Sequence, residues 1–217
     1  MGVFTRLFGR TLYYPGCVSK YLVKDVQRRH EHLLTMFDVD YVKLPEVLMC
    51  CGKPALELGH KDVFKEIVRK NKEILNNQGI KKIITPCPKC YYMFKKYYGI
   101  EVKLMAEVIL ENLDKINKKF SEEVWLFDPC NPERFDEVYD VPREILNRLG
   151  FKVKDFMHKS LCCGHSIKEN SPKVAEAMAK QRLERTGKII TICPSCFMHL
   201  KQSVPDKEIL EISEVLI

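Results

Sequence analysis

The chain has 217 residues, of which 46% are hydrophobic and 30% charged, with a formal net charge of +7. That is enough apolar material for a buried core, as one large domain or two small ones, and the balance excludes a disordered chain and a disulfide-stapled miniprotein. No apolar run approaches the roughly 20 residues that span a bilayer, and the basic residues are scattered over helical faces without the aromatic-interleaved stripe of a nucleic-acid binder.

In chain order, the opening MGVFTRLFGR lacks the apolar core and cleavage site of a signal peptide and reads as an N-terminal arm. Residues 11–14 read as a strand that delivers Cys17, 20–37 as a helix, and 41–44 as a strand leading toward Cys50. A helix is expected over 60–76, with Val63, Ile67, Ile74 and Leu75 on its apolar side. A buried strand over 82–85 and a helix over 88–98 follow. The same alternation returns as strands over 124–127, 152–156 and 188–192, with helices over 142–149, over 173–185 and from Pro194. Strands alternating with helices predict an α/β fold with parallel sheets and helical cover.

The cysteines carry most of the information. Cys17, Cys50, Cys51, Cys87, Cys90, Cys130, Cys162, Cys163, Cys193 and Cys196 form one pattern used twice. It is a leading cysteine, then Cys-Cys-Gly, then Cys-Pro-x-Cys. The leading cysteine precedes the pair by 33 positions in the first copy and 32 in the second, and the pair precedes the last motif by 36 and 30. The duplication extends beyond these residues. Lys82-Ile83-Ile84-Thr85 precedes Cys87, as Lys188-Ile189-Ile190-Thr191 precedes Cys193. Leu104-Met105-Ala106-Glu107 answers to Glu211-Ile212-Ser213-Glu214, each a strand end feeding a short helix. A repeat of about 110 residues is a domain duplication and no solenoid. The boundary is expected in the charged stretch after Leu113, giving domains 1–116 and 117–217.

Buried structural cysteines would be scattered without such order. Disulfides fit poorly with a lysine-rich chain lacking a secretory signal; the expected setting is the cytoplasm, where this spacing points to metal or redox chemistry. Tetrahedral zinc needs four ligands and leaves each fifth thiol without a role. Five soft thiolates, two of them adjacent, converge more readily on a polynuclear iron–sulfur cluster. A zinc-stabilised, non-catalytic scaffold, or a mixed protein with one cluster and one zinc site, stays as the alternative. Ten thiolates would also lower the formal charge considerably, so +7 overstates how basic the working protein is.

Cys-Pro-x-Cys follows a strand and opens a helix, where proline is tolerated and free amides favour thiolate. Gly52 and Gly164 would let the backbone turn sharply beside the site. His165 and His199 lie near the second set without counterparts in the first, where Lys53 and Met93 or Phe94 stand, and read as surface or packing residues. Tyr91, Tyr92, Tyr97 and Tyr98 read as core and helix-surface residues, and Asp128 before Pro129 as a cap or turn. No nucleophile elbow, phosphate loop or dinucleotide glycine motif is present.

Two copies of Cys…Cys-Cys-Gly…Cys-Pro-x-Cys, from Tyr14-Pro15-Gly16-Cys17 to Ser213-Glu214-Val215-Leu216, resemble the cysteine-rich CCG-domain family. This family includes the B subunit of heterodisulfide reductase, the glycolate oxidase iron–sulfur subunit and lactate-utilisation protein A. The resemblance implies two tandem Rossmann-like α/β domains related by a pseudo-two-fold. It also implies two noncubane [4Fe-4S] clusters, one on Cys17, Cys50, Cys51, Cys87 and Cys90, the other on Cys130, Cys162, Cys163, Cys193 and Cys196. In the heterodisulfide reductase member such clusters flank a disulfide and feed it one electron each. The implied role is an electron-transfer or reductase subunit of an oxidoreductase complex, reducing a disulfide or relaying electrons. This sequence carries neither the ferredoxin-like Cys-x-x-Cys-x-x-Cys runs of many relatives nor a flavin or nicotinamide motif. A separate ferredoxin-like or flavin-containing redox subunit is therefore the expected partner, with a small-molecule disulfide or none as substrate, no nucleic acid and no integral membrane segment.

Overall fold

A computed structural model describes residues 9–44, 50–129, 138–156 and 162–217. The alternating periodicity becomes seven strands: β1 (Arg10–Tyr13), β2 (Ile80–Thr85), β3 (Glu101–Leu104), β4 (Glu123–Phe127), β5 (Lys152–Asp155), β6 (Ile189–Thr191) and β7 (Ile209–Glu211). They pair in two sheets, β1-β2-β3 and β5-β4-β6-β7, and every pairing is parallel. In register, Leu12 faces Ile83 and Ile83 faces Val102; in the second sheet Leu126 faces Ile190 and Ile190 faces Leu210. The central strands β2, β4 and β6 are largely buried, as strands of a parallel sheet covered by helices are, whereas the edge strands β3 and β5 are partly exposed.

In the first half the helices are α1 (Gly16–Tyr21), α2 (Lys24–Met36), α3 (Lys53–Glu57), α4 (Lys61–Asn77), α5 (Pro88–Met93) and α6 (Met105–Glu111). The second half has α7 (Val141–Arg148), α8 (Pro172–Leu183), α9 (Pro194–Ser203) and α10 (Ser213–Leu216). Four expectations change. The helix expected over 20–37 starts at Gly16 and breaks at Val23, whose β-branched side chain sits at φ −127°, ψ 63°, outside the helical basin. The strand over 41–44 contracts to a single parallel bridge from Val42 to Leu12. The helix over 88–98 widens into a π turn over Phe94–Tyr98 before Gly99 ends it at φ 65°. On α4 the buried residues are Phe64, Asn71 and Leu75, whereas Val63 is 56% exposed. The polar Asn71 belongs to the inner face, which apolar periodicity alone shifts by one position. Among the described residues no helix is long and apolar enough to cross a membrane. The N-terminal arm expected over 1–10 lies outside them up to residue 8.

With Val42 counted in place of a strand, both sheets share one order, in which the second strand lies on one side of the first and the third on the other. The two halves pack reciprocally. Helix α6, which ends the first half, lies on α7, the first described helix of the second. Helix α10, which ends the second half, lies on α2 near the start of the first. One apolar core runs through this junction, joining Leu33, Leu34, Val108 and Ile109 to Ile145, Leu146, Ile212 and Val215. The repeated Glu107 and Glu214 do the same work: each carboxylate accepts the amide three residues back, Leu104 N at 2.6 Å and Glu211 N at 3.0 Å. Across the junction Arg29 donates to Ser213 Oγ at 3.1 Å and Glu214 Oε1 at 3.0 Å. His30 Nε2 stands 3.2 Å from Glu211 Oε1, an ion-pair distance off the line of a hydrogen bond, with both side chains buried.

Candidate functional site

In each sheet the strand order reverses beside the first strand, and open parallel sheets receive ligands at the carboxyl ends there. Cys17 follows β1 in the first turn of α1. Cys50 and Cys51 follow Val42 and precede α3, and Cys87 and Cys90 follow β2 at the start of α5. Three separate connections thus reach one point. All five cysteines line one cavity of about 90 Å³, with Gly16, Ser19, Lys53 and Lys89 beside them. Gly16 is required here. Its φ is 77°, and an added Cβ would sit 3.4 Å from both Cys90 Sγ and Cys87 Cβ.

The five thiols touch one another in a chain. Cys17 hydrogen-bonds Cys50, Cys50 bonds Cys51, and Cys90 bonds both Cys51 and Cys87. The bond to Cys50, reinforced by burial, raises Cys17 above the ordinary thiol value. Cys17's bond pulls Cys50 down, but Cys50's own bond to Cys51 and its burial leave it raised. Bonds from Cys50 and Cys90 hold Cys51 well below the ordinary value, and the bond from Cys90 lowers Cys87. Cys90, bonding both, is pushed up. Cys51 and Cys87 are therefore the sulfurs the site already favours as thiolates. The sulfurs form a chain, not a shell about one point: among the described residues no group of three or more His, Cys, Asp or Glu could hold a single metal ion.

The Cys-Cys-Gly turn is held by two residues that periodicity did not single out. Asn71 Nδ2 donates to Cys50 O at 3.1 Å and to Tyr98 Oη at 3.0 Å, and Tyr98 Oη donates to Cys51 O at 3.2 Å. A polar residue on the apolar face of α4 was the signal available for Asn71. The threonine of the repeated Lys-Ile-Ile-Thr also has a task. Thr85 Oγ1 accepts Cys87 N at 3.3 Å and Thr191 Oγ1 accepts Cys193 N at 3.4 Å, fixing each Cys-Pro-x-Cys turn. In both turns proline is the first helical residue, after an extended cysteine.

In the second half Cys162 and Cys163 follow β5, and Cys193 and Cys196 follow β6 and open α9. Cys130, the leading cysteine of this set, lies outside the described residues. Before it, Asp128 accepts two bonds from Arg143, Nη1 to Oδ1 at 3.0 Å and Nη2 to Oδ2 at 2.7 Å. His199 is fully buried, with Nε2 3.2 Å from Ala175 O, so it is a packing residue. His165 is half-buried, its ring 6.1 Å from that of His199, and burial, helped by Lys89, lowers it to about 4. A narrow cleft lined by Cys163, Cys193, Cys196, Lys89 and His165 adjoins the first cavity, and Lys89, His165 and Ser195 line both. Lys89 Nζ donates to Ser166 Oγ at 2.5 Å, a contact between the halves. The nine described cysteines are all free.

The duplicated pattern and its fold match the cysteine-rich domain (CCG) family twice, over residues 11–95 and 124–201. The chain belongs to the cysteine-rich domain family. Among curated members it is 31% identical, over 94% of its length, to the B subunit of fumarate reductase (CoM/CoB) of Methanothermobacter marburgensis, covering 45% of that protein. An uncharacterized iron–sulfur protein of Methanocaldococcus jannaschii is 28% identical over 90% of this chain and 42% of its own length. The D subunit of the dihydromethanophenazine:CoB–CoM heterodisulfide reductase of Methanosarcina barkeri is 27% identical over 87% of this chain and 53% of its own. The chain thus spans about half the length of the curated cysteine-rich relatives it matches.

Proposed function

We propose that this chain is an iron–sulfur redox subunit with two cluster sites, one in each of two domains, 1–116 and 117–217. Cys17, Cys50, Cys51, Cys87 and Cys90 hold the first [4Fe-4S] group. Cys130, Cys162, Cys163, Cys193 and Cys196 hold the second. The observation that carries this reading is the meeting of all five first-half cysteines in one cavity, linked sulfur to sulfur. Soft thiolates in excess of four suit a polynuclear cluster better than a single ion.

When bound, such clusters supply one-electron transfer. The protein's part is positional. Cys51 and Cys87, already biased toward thiolate, anchor the first group. Gly16 admits it close to the backbone, and Asn71 and Tyr98 hold the pair of cysteines in place. Lys89 and His165 face the space shared by the two sites. His165, lowered to about 4, is uncharged at neutral pH, so the positive charge there is that of Lys89, which suits an anionic substrate. The relatives' names support disulfide reduction, in which two electrons and two protons convert one disulfide to two thiols, or electron relay within a larger oxidoreductase. Either use brings in a further redox subunit.

Anaerobic purification followed by iron, acid-labile sulfide and zinc analysis tests this. Iron and sulfide in the proportion of two four-iron clusters are expected. Stoichiometric zinc without sulfide would sink the reading.

A further inference from the structure

Helix α1 buries two residues, Gly16 and Ser19. They are one turn apart and share a face. At Gly16 that face is 3.4 Å, measured from an added Cβ, from Cys90 Sγ. Ser19 is 1% exposed and lines the cavity that holds the five first-half cysteines. Its hydroxyl has no hydrogen-bond partner among the described residues. A serine inside a helix ordinarily bonds back to a carbonyl of the preceding turn, and Ser19 does not. Buried polar groups are paired in nearly all proteins, so a lone hydroxyl on the wall of a ligand cavity points to a partner within the cavity. The helix is pinned from outside as well: α1 packs on α9, whose Pro194 and Ser195 line the same cavity.

We propose that Ser19 is a positioning residue of the first site, donating its O–H to a sulfur of the group held there. The inference rests on the reading of that site as an iron–sulfur site. A hydrogen bond to a cluster sulfur stabilises the more electron-rich, reduced form and so raises the reduction potential. Ser19 thereby sets the first site above the value its five thiolates alone would give it. The second site has no such residue among those described, since the segment that corresponds to α1 lies outside them.

The test uses the full chain, purified anaerobically, with Ser19→Val and Ser19→Thr compared. These two side chains have the same shape and differ in the hydroxyl. Redox titration followed by EPR reads the potential of each site, and the first-site signal is the one that Cys51→Ser removes. Ser19→Val is expected to keep its iron and sulfide and to shift the first-site midpoint to lower potential, leaving the second unmoved. Ser19→Thr is expected to stay at the wild-type value. Equal midpoints in the two variants would overturn the proposal while leaving the cluster reading intact. Ser19→Ala repeats the comparison with a smaller side chain, and loss of iron from Val but not from Ala, with an unmoved midpoint in Ala, also overturns it. A wild-type chain holding zinc without sulfide would overturn the reading of the site and this inference together.

Discussion

The two halves carry the same cysteine pattern but support it differently. In the first, side chains hold the Cys-Cys-Gly turn: Asn71 and Tyr98 bond the carbonyls of Cys50 and Cys51, and Gly52 faces the ring of Phe64. In the second, Gly164 packs against the carbonyl of Ala175, which also meets the buried His199. Among the described pairs exposure differs at one matched position: Cys87 is half-buried whereas Cys193 is buried, while Cys50 and Cys162 are both half-buried and Cys51, Cys163, Cys90 and Cys196 are all buried. Duplication preserved the cysteine pattern and left each copy free to solve the packing around it.

The largest expected effect separates the sites outright. On the proposed assignment, Cys51→Ser takes one thiolate from the first site and is expected to lose about half the iron and sulfide, with the second site's EPR signal kept. Full retention would break the equivalence of the two pentads. The glycines come next. At Gly164, φ is 97° and a Cβ would meet Ala175 O at 2.6 Å; at Gly52 φ is 88° and it would meet a Phe64 ring carbon at 2.9 Å. Backbone cannot move aside as a ring can. Gly164→Ala is expected to cost roughly 3 kcal/mol and Gly52→Ala roughly 1–2 kcal/mol, by denaturant unfolding.

Asn71→Ala leaves Cys50 O and the Tyr98 hydroxyl short of a buried partner. A loss of about 2 kcal/mol is expected, with faster iron release from the first site alone, read by chelator-driven bleaching. Glu211 sharpens the comparison through pH. Its counterpart in the first copy is the apolar Leu104, whereas Glu211 is buried beside His30. Burial opposes its charge, but His30 and the bonds from Ser213 hold its carboxyl below the usual 4.5. A depressed carboxyl stabilises the fold above its unfolded value and loses that contribution as pH falls through the folded one. The stability gap between wild type and Glu211→Gln is therefore expected to be full at pH 7, at roughly 2 kcal/mol, and to close as pH drops below 4.5. A gap that stays constant with pH would show Glu211 to be neutral in the folded protein. The smallest effect sets Thr191 against Thr85. Each accepts a cysteine amide, but Thr191 Oγ1 also donates to Phe127 O at 2.9 Å. Thr191→Val is expected to cost about 1 kcal/mol more than Thr85→Val, one hydrogen bond's worth, in thermal unfolding.

The sequence by itself determined the α/β alternation, the duplication and the family, because those rest on local periodicity and on a cysteine pattern that repeats along the chain. It also placed proline at the first turn of α5 and α9, a choice made within a few residues. Only the tertiary structure decided the rest. It reduced 41–44 to the bridge at Val42, broke the first helix at Val23 and turned Asp128 toward Arg143. It brought Asn71 and Tyr98 onto the carbonyls of Cys50 and Cys51, and set Ser19 against the first cavity. Each of these depends on a partner far away in the chain, and no local pattern reports which distant group a buried polar atom will meet. The two cysteine sets are alike in their order along the chain; what distinguishes them is what folds in behind.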